Sequence, residues 1–270
     1  MIKMFIALLL TFASIAKAQT SFAFAGNTAD AYDRLPMPKS SNRDSQALQL
    51  LQQSVDKMGG LTAIRAIPGW KIHLRVTQAA NNTTHIARWE VVGDEFRVEH
   101  LSSDASKMLK AVTTGQGNAS TQSGTTTTPL PFHTVRSWIV PQMAAQLLEK
   151  AIDDPEYSLD LLKVDANSNQ TIIRIVNTKT PLTRLTTPEL WYFDNTTMLP
   201  ALVCIRQYRP NDFTHHALMT FAMSNFTLRD GVLIPFHSTL QIGEFVLETA
   251  DVVSVKTNEA IPNSRFAALR

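Results

Sequence analysis

The chain has 270 residues, with 25 Lys and Arg set against 23 Asp and Glu. Without Lys3 and Lys17 of the N-terminal segment the count is 23 basic against 23 acidic, which leaves no electrostatic case for nucleic-acid or membrane-surface binding. The single cysteine, Cys204, excludes an internal disulfide, and its apolar strand context reads as a small core residue.

Taken in order, Met1 to Ala18 reads as a secretory signal peptide: Lys3 supplies the positive charge, Phe5 to Ile15 the apolar run, and Ala16-Lys17-Ala18 the cleavage site. The run is shorter than the roughly 20 apolar residues that cross a bilayer, and no later stretch is longer. No cysteine stands at the cleavage junction, so a lipid anchor is not expected. Residues 19–44 form a polar leader without periodicity, expected to be poorly ordered. Residues 45–270 are expected to be one domain.

Asp44 or Ser45 can cap a helix with an apolar stripe of Leu48, Leu51, Val55 and Met58, stopped by Gly59-Gly60. Leu61, Ile64 and Ile67 predict further helical turns before Pro68. The period then changes to two. Trp70 to Gln78, Thr83 to Val92 and Glu95 to Leu101 predict a β-meander with one wet face. Met108 to Thr114 reads as a strand, Gly115 to Gly124 as a loose hairpin, and Thr125 to Thr128 as an exposed low-complexity run. Trp138 to Ile152 predicts a helix presenting Ile139, Met143, Leu147 and Ile152, with Pro141 in its first turn.

Strands resume at Tyr157 to Val164, Thr171 to Asn177, Pro188 to Phe193 and Pro200 to Tyr208. The long hairpin His216 to Gly243 turns at Asp230-Gly231, the dipeptide that a type I′ turn favours. Phe245 to Thr257 adds a strand. The sum is about ten or eleven strands in sequential hairpins with two early helical insertions, a mainly β (α+β) antiparallel architecture.

Three stretches carry a resemblance. Met58-Gly59-Gly60 precedes Ala63-Ile64-Arg65-Ala66-Ile67; Leu190 to Pro200 reads LWYFDNTTMLP; and Ser224 to Phe236 reads SNFTLRDGVLIPF, followed by Val253 to Asn258 and Phe266. Together they resemble the LolA/LolB family of periplasmic lipoprotein carriers and its LolA-like relatives. The resemblance implies an antiparallel half-open β-barrel with a helical lid over an apolar concave face, and the hairpin at Asp230-Gly231 is expected to form its closing wall. It also implies a periplasmic, monomeric carrier for an acyl chain, lipid or lipoprotein, without a cofactor. The alternative is an envelope interaction or sensor module that contacts another envelope protein.

Catalytic signatures are missing: there is no G-x-S-x-G, P-loop, dinucleotide fingerprint, H-E-x-x-H or C-x-x-C. No catalytic or metal residue is therefore assigned. His73, His85 and His100 stand on three successive strands, and register could bring two together, but strand parity sets His73 against His100. His215-His216 point to opposite faces. Asp160, Asp165 and Asp194 fit strand and turn roles. On the resemblance, the cavity candidates are Trp89, Phe96, Trp138, Met143, Leu147, Trp191, Phe221, Met223 and Phe236, with ordinary core packing as the competing explanation. Arg97 and Arg136 could tether a lid or meet a head group, with solvation as the alternative. Asn81, Asn82, Asn118, Asn169, Asn195 and Asn225 begin N-x-[ST] sequons to which no role is given.

Overall fold

The structure is a computed structural model that describes residues 35–93, 95–101, 109–113, 119–123, 126–130, 141–165, 169–180, 183–184, 187–209 and 212–267. The contact pattern divides the chain between Leu35 and Pro36, and everything below concerns Pro36–Arg270. The segment read as a signal peptide and the leader as far as Arg34 lie outside the described residues. Among the described residues, no helix is long and apolar enough to cross a membrane.

Helix α1 (Ser45–Lys57) starts at Asp44, whose carboxylate accepts the Ala47 N–H at 2.8 Å. Ala47, Leu51 and Val55 bury one stripe, continued by Met58. The helix stops where Gly59 takes φ +126°, and α2 (Gly60–Arg65) follows. The chain before α1 is tied down. Arg43 donates to the carbonyls of Ala151, Ile152, Asp154 and Tyr157, and Arg43 itself bridges in parallel to Leu159.

The strands are β1 (Trp70–Gln78), β2 (Thr83–Val92), β3 (Glu95–Leu101), β4 (Leu109–Thr113), β5 (Ala119–Ser123), β6 (Thr126–Leu130), β7 (Tyr157–Asp165), β8 (Gln170–Asn177), β9 (Glu189–Asp194), β10 (Pro200–Arg209), β11 (Asp212–Arg229), β12 (Val232–Ile242) and β13 (Phe245–Lys256). They form one open antiparallel sheet in the order β6-β5-β4-β3-β2-β1-β13-β12-β11-β10-β9-β8-β7. The mainly β, half-open architecture thus stands, with thirteen strands among the described residues. The added strands lie in 109–130, where the threonine-rich run expected to be only an exposed tract pairs through its backbone as edge strand β6. Bulges at His73/Leu74 and Leu240/Gln241 interrupt the central ladders and increase local twist, helping the sheet to curl.

The hairpin of β11 and β12 is not the closing wall. β13 turns back to pair with β1, which places the hairpin near the middle of the sheet. Its turn is as the sequence implied: Asp230 and Gly231 both have positive φ, and Arg229 pairs with Val232. Asp194 likewise organises the β9–β10 turn by accepting from the backbone of Thr196 and Thr197. Asn82, Asn169 and Asn225 take positive φ, a backbone reason for asparagine at three sequons.

Helix α3 (Ala144–Asp153) follows a 3-10 turn, Pro141–Met143. Its buried stripe is Ala144, Ala145, Leu148 and Ala151, whereas Leu147 and Ile152 are only partly buried. The stripe is rotated from the expected one because alanines allow close approach to the sheet and to α1. Arg65 ties α2 to α3 through Glu149 at 2.7 Å and through Asp153. The three helices and one sheet face enclose the main core, with Trp70, Ile72, Ile173, Trp191, Val203 and Ile234 buried among them. β8 to β10 are buried on both faces, and Cys204 lies on the outer parity, in contact with the Thr220 hydroxyl at 3.2 Å.

Candidate functional site

Strand register determines what faces the lid. Val76 opposes His85 on β2 and Ala250 on β13, Ala250 opposes Ser238 on β12, and Ser238 opposes Met223 on β11. The next row runs from Glu248 through Leu240 to Phe221. A third row joins Leu74, Ala87 and His100. Phe221, Met223, Ile234 and Phe236 therefore share one parity of the hairpin, the parity that faces the helices.

These rows line a cavity of about 100 Å³. Its floor is Leu74, Val76, Ala87, Trp89, Phe221, Leu240 and Ala250; Pro141 and Gln142 cover it from the 3-10 turn; His100, Ser238 and Glu248 supply polar groups. Most of the surface is aliphatic or aromatic, as in small-molecule sites.

Of the expected cavity residues, Trp89 and Phe221 line it directly. Phe96 tilts against Trp89 with ring centroids 5.7 Å apart. Met143 and Met223 are buried beside the lining residues Gln142 and Ser238, and Leu147 packs on the core from α3. Trp191 is 0% exposed, stacks on Phe193 and donates its indole N–H to Glu189 at 2.7 Å. Phe236 lies under the Arg229 guanidinium, 5.1 Å from the ring centroid. Trp138 and Arg136 lie outside the described residues. Arg97 faces away from Phe96 and Val98, pairs with Glu99 at 2.7 Å and donates to the Arg265 carbonyl.

The site includes residues that sequence reasoning missed. Small aliphatic positions such as Ala87 and Ala250 create the space, and no composition signal marks them. His100, one of the three histidines of which register could bring two together, was not among the cavity candidates, yet it lines the cavity and meets His85. Its Nδ1 lies 2.9 Å from His85 Nε2, so one ring donates and the other accepts. Burial, and then the neighbouring His85, push the His100 pKa down to about 4. His73 stands on the other side of β1, where burial and then Arg88 lower its pKa. Among the described residues, no group of three or more His, Cys, Asp or Glu could hold a metal ion.

Gln142 is the most informative missed residue. It is 1% exposed and donates through Nε2 to the Ser238 hydroxyl at 3.2 Å. Its Oε1 is buried with no hydrogen-bond partner. Further along the concave face, burial raises the Glu189 carboxyl to about 7 against the counteracting Trp191 hydrogen bond and Lys150 charge.

No protein-family model and no curated protein sequence matches the chain. The fold, however, is that of LolA-superfamily proteins. A LolA superfamily protein from Nitrosomonas europaea superposes with a TM-score of 0.52 at 11% identity, covering 82% of this chain and 97% of its own. A putative outer membrane lipoprotein-sorting protein domain from Vibrio parahaemolyticus gives 0.52 at 10% identity, over 82% and 95%. A DUF1329 family protein from Desulfovibrio piger gives 0.53 at 9% identity, over 84% and 98%.

Proposed function

We propose that this protein is a periplasmic carrier that sequesters an acyl chain, a lipid or another apolar group, including the lipid part of a lipoprotein, beneath its helical lid. The carrying observation is the apolar cavity at the centre of the concave face, closed by Pro141 and Gln142. The LolA-like fold and the N-terminal signal sequence support the same reading. Exported chain would begin at Gln19, after cleavage at Ala18, and act as a monomer without cofactor or catalytic residue.

The described cavity is smaller than the roughly 300–1,000 Å³ of ligand sites. For the carrier reading, loading has to enlarge it by lifting the 3-10 turn and α3 from β12. Each buried methylene of a ligand then contributes about 0.8 kcal/mol against the cost of that displacement. Native mass spectrometry of protein purified from the periplasm should show a bound apolar adduct, and N-phenyl-1-naphthylamine should gain fluorescence on binding. Absence of both would end the carrier reading. N-terminal sequencing of the exported product checks cleavage at Ala18.

A second reading, an envelope interaction or sensor module, has its own observation. Phe245, Val246 and Leu247 are all exposed at the β12–β13 tip, Phe245 by 77%. A photo-crosslinker placed at Phe245 that captured one protein stably, while the cavity stayed empty, would favour this reading.

A further inference from the structure

We propose that the outer face of the sheet, on the side away from the helices, carries a site for a phosphate group built from Arg75, Arg88, His73 and Ser254. The site is independent of the cavity and of what the cavity holds. Ile72, Leu74 and Val76 turn one side of β1 into the core, so Lys71, His73 and Arg75 share the other. Register brings their neighbours to the same side. His73 stands between Arg88 on β2 and Ser254 on β13, and Arg75, which opposes Ile86, is the diagonal neighbour of Arg88. Diagonal pairs lie about 7–8 Å apart, within reach of long side chains, so the two guanidinium groups can converge beside His73. Both arginines are exposed.

The carboxylates around this point are committed to other cations. Glu99, opposite Arg88, holds Arg97 at 2.7 Å; Asp251, opposite Arg75, holds His237 at 2.7 Å; Glu90 holds Arg265 at 2.7 Å. Glu259 spans Lys71 and Lys256, two like charges that register places face to face. Arg75 and Arg88 are left, among the described residues, with no ion pair or hydrogen bond. His73 feels the resulting field: burial and then Arg88 lower its pKa, Glu90 opposes them, and Lys256 adds to the lowering. A guanidinium presents a planar fork of donors that matches phosphate oxygens, and two of them balance a phosphomonoester dianion. Ser254 supplies a hydroxyl donor, and a bound anion favours protonated His73 as a further donor. Inorganic phosphate and a lipid head group offer the same oxygens, and the test separates them.

The mature protein, with the His73 ring followed by NMR, is titrated with inorganic phosphate against sodium chloride at matched ionic strength. It is also sedimented with phosphatidylcholine vesicles, with and without phosphatidic acid. Phosphate should shift the His73 resonances saturably and raise the pH at which the ring titrates. Arg75→Gln/Arg88→Gln should weaken that response about tenfold, whereas Arg75→Lys/Arg88→Lys should retain part of it. Co-sedimentation that depends on phosphatidic acid and on both arginines assigns the phosphate to a lipid head group; a response to inorganic phosphate alone assigns it to a soluble phosphate. The proposal is overturned if phosphate moves His73 no more than chloride does and vesicle binding is indifferent to the arginines, or if the double Gln variant responds like the parent protein.

Discussion

Gly59 is the position where one methyl group should be most damaging. It joins α1 to α2 at φ +126°, and a Cβ there would run into the Gly231 carbonyl oxygen and lie 3.2 Å from Val232 Cα. Both obstacles are backbone, held by the two-residue turn and by the Leu233 N–H donating to the Met58 carbonyl at 2.8 Å. In Gly59→Ala the forced φ costs about 1–3 kcal/mol, and separating hairpin from helix forfeits about 1 kcal/mol of hydrogen bonding. A loss of about 3 kcal/mol follows. With a urea dependence of ~3 kcal/mol per molar, the unfolding midpoint should fall by about 1 M. Gly93→Ala is the control: φ is +55° and nothing lies within 4 Å, so only the left-handed backbone cost of about 1–2 kcal/mol applies. If the two variants unfold at the same urea concentration, the hairpin tip is not clamped to the helices as described.

The remaining predictions concern charge and anchoring. His100 has a folded pKa of about 4, below its ordinary 6.5; its contribution is present above pH 6.5 and is lost as pH falls through 4, by at most about 3 kcal/mol. His100→Gln should flatten that acid limb in urea midpoints measured against pH. Glu189 behaves oppositely. Its pKa is raised to about 7, so the native state loses stability as pH rises from 4.5 through 7, and Glu189→Gln should stabilise at pH 8 by about 2 kcal/mol while changing little at pH 4.5. Arg43→Met removes donors from the carbonyls of Ala151, Ile152 and Asp154. It should cost about 2 kcal/mol and speed amide exchange in α3 ahead of the central strands.

Local chemistry made most elements legible. Period-two alternation marked β1 to β3, Asp230-Gly231 marked its turn, and Gly59-Gly60 marked the end of α1, because each depends on a few adjacent residues. The cavity was harder to read. Trp89 and Phe221 stood out as large side chains, but the volume they border exists because Ala87 and Ala250 are small and reach one face from either side of β1, on strands distant in sequence. Gln142 gave no sign of interior placement, since burial of a polar residue depends on the Ser238 contact across 96 residues. The rotated face of α3 has the same origin: packing on the sheet favoured Ala144, Ala145 and Ala151 over the bulkier Leu147. In β6, backbone pairing prevailed over the weak pattern of a threonine run.

The pairing of β1 with β13 has a consequence for how the molecule is made. Every other neighbour in the sheet is also a neighbour in sequence, so β1–β6 and β7–β13 are two ribbons of low contact order. They are sewn together by a single non-local ladder, running from Lys71 opposite Lys256 to Gln78 opposite Glu248. The strand that completes the ladder comes after all the other described strands in the sequence. A nascent chain lacking Phe245–Lys256 therefore carries two bare inner edges, β1 and β12, which are hazards for mispairing. The C-terminal strand acts as a keystone: its arrival joins the two ribbons and closes the floor of the cavity in one event.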